Sequence, residues 1–243
     1  MKTILFPTDL FDQSSTSLGY LHLIAKAWQA RIVVLHVYQP VVADTTLPTF
    51  ADPGVGSLAT LDLETISQKH LNTIVDRFRK EGLDAVGEWR VGNIGDGIVD
   101  AAREYAPDLL ITQRSSMATF FDRMTGSAAN EVVRQAPCPV LLIPDADSDN
   151  DVGKVPTAFR SVAYVLQQQI TQQMVTDQTA AIVDAFDAHL TVISPEQIDE
   201  NKPDLFVIQR RETGFLGGLM GSDPTEKLLS SAEVPVLVYH KPE

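Results

Sequence analysis

The sequence repeats part of itself, and this repeat restricts the possible folds more than any other feature. Residues 107–114, PDLLITQR, return 96 positions later as PDLFVIQR at 203–210. Residues 3–9, TILFPTD, match SVAYVLQ at 161–167, but there the offset is 158. The two offsets differ by 62 residues. We therefore predict that the second half is a trimmed copy of the first, without its middle strand and helices.

Apolar runs of strand length alternate with longer segments of helical periodicity, which predicts a parallel, doubly wound α/β sheet. The predicted strands of the first half are KTILFP, RIVVLHVY, AVGEWRV, LLITQ and PVLLIP. The predicted helices begin at Ser14 or Ser15, span Leu61–Glu81, follow the GNIGDG turn, and start again near Gly126. Residues 39–60 contain Pro, Gly and Thr without periodicity, so we predict a long loop there.

The repeat and the composition of the joining segment divide the chain into three parts. We predict a complete domain at 1–145, a linker at 146–160 that is acidic and polar, and a truncated second repeat at 161–243. A chain of 243 residues is long enough to bury a substantial core in this arrangement.

Charge and composition exclude several classes of partner. A net charge of −13 argues against nucleic acids and anionic membrane surfaces. The single cysteine favours a reducing compartment, and MKTILFPTDL is too short an apolar run for a signal peptide. No apolar run approaches the roughly 18 residues that a membrane span requires. We expect a cytoplasmic protein that contacts other proteins or a second copy of itself, with a homodimer as the expected form.

Ligands of open parallel sheets bind beyond the carboxyl ends of the strands. Pro7, Thr8 and Asp9 follow the first strand, where the Asp9 carboxylate is placed to accept hydrogen bonds from a base or a ribose. Val37 lies at the end of the second strand, where backbone groups are able to pair with an adenine edge. These residues form the first part of a candidate nucleotide site.

The second part is the loop that begins after the fourth strand, at Thr112 and Gln113, and runs through Ser116 to a helix start. Gly126, Ser127 and Ala128 open this helix, and the N–H groups of a helix start favour an anion such as phosphate.

Each of these features also has a purely structural reading. Asp9 is able to cap a turn, and Ser127 is an ordinary helix cap. His36 lies inside an apolar strand and Cys138 precedes one, so both fit core positions. The glycines of GNIGDG do not match the dinucleotide fingerprint, and we predict that they only form a turn. No nucleophile–base pair and no metal-binding spacing is present among the motifs, so the sequence nominates no catalytic residue.

The motifs ILFPTD, VVLHVY, VGNIGDGIVDAAREYAPDLLI and, most specifically, TGSAANEVVRQAPCPVLLIP together resemble the universal stress protein family over residues 1–145. The second half resembles it weakly, through PDLFVIQR, MGS and VPVLVYH. The resemblance implies a five-stranded, Rossmann-like fold and a pseudo-dimer of two repeats. In a tandem chain, the PVLLIP and PVLVYH strands are expected to pair within one molecule.

The resemblance also implies what the nucleotide site should contain. Family members that bind ATP or AMP carry G-x-x-G-x9-G-[ST] after the fourth strand. Here Gln113 and Ser116 stand at the first two glycine positions, and only Gly126 and Ser127 remain. Side chains at 113 and 116 crowd the space that phosphates need. In the second half, Gln167 replaces Asp9, and Arg210, Arg211 and Glu212 stand in place of glycines.

Three functional hypotheses follow. The first is a stress-response regulator or adaptor that acts through protein contacts, with weakened or lost nucleotide binding. The second is a sensor of ATP or AMP, with Mg²⁺, that uses Asp9, Val37, Gly126 and Ser127. The third is weak hydrolysis of ATP or another phosphate or phosphoanhydride, which has no base or lysine placed for it.

Overall fold

The computed structural model describes residues 1–10, 15–39, 53–113, 132–133, 135–144, 155–167, 170–209, 228–229 and 232–240; for residue 15 and residues 53–63 it describes the backbone alone. The strands are β1 Thr3–Pro7, β2 Arg31–Tyr38, β3 Asp84–Val91, β4 Leu109–Gln113, β5 Val140–Ile143, β6 Ser161–Val165, β7 His189–Ile193, β8 Leu205–Gln209 and β9 Val236–Tyr239. The helices are α1 Ser15–Trp28, α2 Pro53–Lys80, α3 Ile94–Tyr105 and α4 Gln172–Phe186, with a 3-10 helix at Pro195–Glu200.

The described strands form one sheet in the order β3-β2-β1-β4-β5-β9-β8-β6-β7. Every neighbouring pair is parallel except β5 and β9. Most strand residues are buried, because two apolar clusters cover the sheet on opposite faces. This arrangement explains the continuous apolar runs of the sequence, and the prediction of an open, parallel, doubly wound α/β sheet is confirmed, with one antiparallel pair at β5 and β9.

The two halves meet through their last strands. β5 and β9 run antiparallel, and Val140 pairs with Val238 and Leu141 with Leu237. The prediction that PVLLIP and PVLVYH pair within one molecule is therefore confirmed. The halves share one sheet and do not form separate lobes.

Equivalent backbone hydrogen bonds recur in the two halves at the offsets seen in the sequence. The Asp108 N–H donates to the Thr3 carbonyl over 2.9 Å, and the Asp204 N–H donates to the Ser161 carbonyl over the same distance. The order β5-β4-β1-β2 also recurs as β9-β8-β6-β7. Among the described residues, the second half has no counterpart of β3, so β7 lies at the end of the sheet. The assignment of 161–243 as a second family repeat stays a prediction.

The predicted loop at 39–60 is wrong for its last part, because α2 begins at Pro53 and not at Leu61. Proline and glycine without helical periodicity predict a loop. However, proline is well suited to the first turn of a helix, where its fixed φ is already helical and its missing N–H has no acceptor to lose.

The glycines of GNIGDG do more than form a turn. Gly92 has a φ of +147° and precedes α3, but Gly95 and Gly97 lie inside this helix. Asn93 caps α3 by accepting a hydrogen bond from the Asp96 N–H over 3.2 Å. A Cβ at position 97 would lie 2.8 Å from Cγ1 of Val37. The absence of a side chain therefore allows α3 to pack closely on the end of β2.

The end of the predicted linker is part of the core. Phe159 is fully buried, and its ring stacks on Tyr20 with centroids 5.9 Å apart. It also meets the edge of Phe186 at 5.2 Å. Close by, the Trp28 indole N–H donates to the Ala181 carbonyl over 2.9 Å. The sequence predicts an acidic, polar linker as far as residue 160, whereas Phe159 packs between helices of both halves.

None of the helices in the described part of the chain has the length and apolar character needed to cross a membrane.

Candidate functional site

The carboxyl ends of β1, β2 and β4 lie side by side and form one edge of the sheet, which is made of strand ends and not of an outer strand. Pro7, the last residue of β1, pairs with Leu35, and the Thr8 N–H donates to the Leu35 carbonyl over 2.9 Å. On its other side, β1 pairs with β4 in parallel register. The structure therefore places a subset of the predicted site residues at this edge, namely Pro7, Thr8, Asp9, Val37, Thr112 and Gln113. Ser116, Gly126, Ser127 and Ala128 lie outside the described residues, and their role stays a prediction.

The chain turns sharply after β1, and Thr8 supplies a hydrogen bond that holds this turn. Its buried hydroxyl accepts from the Leu10 N–H over 3.1 Å. Leu10 itself has a φ of +71°, in the left-handed region that non-glycine residues rarely adopt. The turn brings the half-buried Asp9 to the rim of the strand ends.

His36 supports the same turn from β2. The side chain is buried, and its Nδ1–H donates to the Thr8 carbonyl over 2.9 Å. Burial lowers the pKa of His36, although the Thr8 hydrogen bond and the nearby Asp9 charge act in the opposite direction. The neutral imidazole is thus favoured. The prediction of a satisfied core histidine is confirmed.

Val37 offers its backbone to the cleft. Its side chain is buried beneath α3, against Gly97. The Tyr38 carbonyl accepts from the Gly92 N–H and so faces the β3 side, which means that the neighbouring Val37 faces the β1 side. The pairing of β1 with β2 ends at Leu35. The N–H and C=O of Val37 therefore point to the side where β1 has ended, as pairing with the edge of a base would require.

The end of β4 is filled by side chains. Thr112 and Gln113 are each only 5% exposed. A glycine at 113 would leave this volume free, whereas the glutamine side chain is packed into it. The Gln113 side chain therefore does not extend into solvent at this strand end.

In the second half, the place that corresponds to the end of β4 is filled by three side chains that are linked by hydrogen bonds. The Tyr164 hydroxyl donates to Oε1 of Gln178 over 2.7 Å. Nε2 of Gln178 donates to Oε1 of Gln209, the residue equivalent to Gln113, over 3.5 Å. Gln167 follows β6 at the position of Asp9, and the preceding Leu166 N–H repeats the strand-end hydrogen bond of Thr8 by donating to Ile193.

A surface depression of about 300 Å³ lies beside the site, on the α2 side. It is lined by Leu10, His70, Thr73, Ile74 and Arg77. The α2 residues of this lining follow a helical spacing that is common to most helix surfaces, so the sequence alone gives no signal of a site there. The depression adjoins the β1 turn through Leu10 and does not coincide with the ends of β2 and β4.

Cys138 is buried just before β5. Burial, and to a smaller extent the charge of Asp108, raises the pKa of the Cys138 thiol to about 12. A thiol with such a high pKa is a poor nucleophile at neutral pH. The prediction that Cys138 is a core residue is confirmed.

Comparison with known proteins gives a consistent result. The model of the universal stress protein family matches residues 1–144. The chain is 27% identical over 148 residues to a Thermus aquaticus protein described as a universal stress protein in the QAH/OAS sulfhydrylase 3′ region, a match that covers 58% of this chain and 98% of the relative.

Two solved structures resemble the chain over almost its full length. A universal stress protein from Archaeoglobus fulgidus DSM 4304 has a TM-score of 0.66 at 14% identity, covering 99% of this chain and 97% of its own. A functionally unknown protein from Pseudomonas aeruginosa PAO1 has a TM-score of 0.61 at 15% identity, with 99% and 92% covered. At these identities, the likeness shows the fold.

Proposed function

The chain belongs to the universal stress protein family, and from this premise we propose that it is a cytoplasmic stress-response regulator or adaptor. It acts through protein contacts, and its nucleotide binding is weakened or lost. Residues 161–243 act in this proposal as a shortened second repeat that binds no nucleotide. The contacts that carry the function are made with other proteins or with a second copy of the chain.

The observation that carries this proposal is the packing of Gln113. This residue stands at the first glycine position of the nucleotide-binding pattern, and its side chain is buried at the end of β4. Phosphates approach such a loop closely only where glycine leaves the backbone without a side chain. A packed glutamine at this point reduces the affinity for a triphosphate.

The second half supports the same conclusion. Gln209 is buried in the equivalent place and accepts from Gln178, which in turn accepts from Tyr164. A ligand that displaced these hydrogen-bonded side chains would leave buried polar groups without partners, at a cost of about 1–3 kcal/mol for each group.

The alternative function is an ATP or AMP sensor that uses the first-half cleft. Two features of the strand ends favour it. The N–H and C=O of Val37 point to the side where β1 has ended, and Asp9 lies half-buried after β1. In this alternative, Gly126 and Ser127 hold the phosphates, and Mg²⁺ accompanies ATP.

Isothermal titration calorimetry with ATP and AMP, each with and without Mg²⁺, separates the two functions. The adaptor proposal expects no heat of binding at millimolar nucleotide for the natural chain. It also expects that Gln113→Gly combined with Ser116→Gly gains measurable affinity, because the two glycines reopen the space for phosphate. Gln209→Gly serves as the matched control in the second half and is expected to gain none.

A micromolar dissociation constant for the natural chain, abolished by Gly126→Val, would instead establish the sensor. Sustained release of phosphate above a denatured control would establish hydrolysis, which neither proposal expects.

A further inference from the structure

The two outer strands of the described sheet differ in their protection against pairing with another chain. β3 carries Asp84, Glu88 and Arg90, and Arg90 forms ion pairs with Glu88 and Glu104. β7 reads HLTVI and contains no proline, lysine, arginine or carboxylate. Charged residues and prolines are the usual means of blocking an edge strand, and β7 has none of them.

Along its outer edge, the backbone of β7 presents groups that pair with no other described strand. The His189 N–H donates to Arg160 over 2.8 Å, and the Ile193 carbonyl accepts from Leu166 over 2.7 Å, so both residues face β6. Successive residues of a strand face opposite sides. Leu190 and Val192 therefore direct their N–H and C=O groups outward, away from the described sheet.

The side chains of these two residues form an apolar surface on one face of the sheet. Val192 is 48% exposed, and Leu190 is half-buried. Their counterparts at the 158-residue offset, Ile32 and Val34, are fully buried. In the first half, β3 extends the sheet beside β2, and α2 packs against both strands.

The second half contains nothing equivalent between β7 and β8. Residues 194–204 are all described, and their regular structure is the 3-10 helix alone. Leu166, which follows β6 beside the end of β7, is 41% exposed. The apolar surface at Leu166, Leu190 and Val192 is therefore the part of the sheet left uncovered by the shortening of the second half.

We propose that this edge binds a second copy of the chain, through antiparallel pairing of the two β7 strands about a two-fold axis at Thr191. In this register, Leu190 lies opposite Val192 of the partner subunit, and the outward N–H and C=O groups of these residues satisfy one another. Thr191 lies opposite its own copy. The inference deepens the contact-based function proposed above, because it names the surface and the partner of one contact, and it holds whether or not the cleft binds a nucleotide.

A second copy fits this edge better than β3 of another molecule does. The two-fold register matches apolar side chains to apolar side chains and closes the assembly after two chains. Pairing of β7 with β3 of another molecule would instead leave a free β7 edge and a free β3 edge for further chains.

The interface of two five-residue strands is small, so we expect a weak, concentration-dependent dimer. Each copy carries a net charge of −13, so the copies repel each other at low ionic strength. Added salt screens this repulsion and is expected to strengthen the dimer.

Sedimentation velocity of the full chain over a hundredfold range of concentration tests the proposal. Thr191 is exposed, so Thr191→Lys and Thr191→Glu are expected to fold, which thermal melting checks. Like charges that face each other across a strand pair repel. Each variant alone is therefore expected to stay monomeric, and an equimolar mixture of the two is expected to form dimers. Val91→Lys, at an exposed position on the other outer strand, is the matched control and should dimerise like the natural chain.

A natural chain that stays monomeric at every concentration and salt would overturn the inference. A dimer that survives Thr191→Lys, or loss of association in Val91→Lys, would do the same, and open-ended oligomers would indicate pairing of β7 with β3. None of these results depends on nucleotide binding, so a failure here is distinct from a failure of the calorimetric test.

Discussion

Two aspartates at equivalent positions, Asp108 and Asp204, hold the start of a strand in each half. The carboxylate of Asp108 accepts from the Thr3 N–H over 2.7 Å. That of Asp204 accepts from the N–H groups of Arg160 and Ser161 and from the Ser161 hydroxyl. The aspartate of the repeated PDL motif thus has a structural role in each half.

The Asp204 carboxylate accepts three described hydrogen bonds and that of Asp108 accepts one, so mutations of the two aspartates are expected to have unequal effects. Asp204→Ala is expected to lower the free energy of unfolding by about 2 kcal/mol, because several donors lose a charged acceptor. Asp108→Ala, the matched control, loses one described hydrogen bond at an exposed position and should cost less. Urea denaturation of both variants measures the difference, and equal losses would contradict this account.

The buried His36 predicts a pH dependence of stability. Its pKa is lowered in the folded state, so the unfolded chain binds the proton more strongly. Stability is therefore expected to fall as the pH drops below the ordinary histidine pKa of about 6.5, and to stop falling below the lowered pKa of the folded state.

Urea denaturation between pH 8 and pH 5 measures this dependence. His36→Asn keeps an N–H donor for the Thr8 carbonyl and removes the titrating group, so it should weaken the slope. An unchanged slope in this variant would assign the pH dependence to other groups.

At the scale of elements, the contact of α3 with β2 depends on the absence of a side chain at Gly97. A Cβ there would lie 2.8 and 3.0 Å from the two γ-carbons of Val37. Gly97→Ala is therefore expected to destabilise the fold by about 1–3 kcal/mol through overpacking.

A double-mutant cycle tests this contact. Val37→Ala removes the clashing methyl groups, so the double variant should lose less than the sum of the two single losses. Additive losses would show that the cost arises elsewhere, for example from the helix backbone.

Elements were predictable from the sequence where burial alone determines them. The strands LLITQ and PVLLIP are covered on both faces, and their continuous apolar runs mark them. The start of α2 was missed, because Pro53 is a breaker within a helix and a favourable residue at its beginning. The same local sequence is compatible with a loop and with the start of a helix, so the boundary could not be derived from residue propensities.

At the scale of the whole molecule, the resemblance to the universal stress protein family implied the joining of β5 to β9, because it implied a pseudo-dimer paired through the last strands of its two repeats. The burial of Phe159 was not predictable, since it depends on Tyr20 and Phe186, which are distant in sequence. The ends of β1, β2 and β4 follow from the apolar runs of the sequence, and their role as a binding site stays a prediction. The packing of Gln113 required the structure, because a glutamine in a sequence is usually exposed.

The shared core predicts that the halves remain together without a covalent link. Cleavage at a protease site introduced between residues 145 and 154 is expected to leave two fragments that elute together in gel filtration. β5 still pairs with β9, and Trp28 still donates to Ala181. Separation of the fragments under native conditions would show that the linker holds the halves together.

The antiparallel joining of β5 to β9 also reverses the direction of the sheet at its centre. All strands from β3 to β5 run one way, and all strands from β9 to β7 run the opposite way. The carboxyl ends of β1, β2 and β4 consequently lie at one pole of the described sheet, and those of β6, β7 and β8 lie at the other. Under the contact-based function proposed above, a protein bound at one pole would leave the strand ends of the opposite pole accessible.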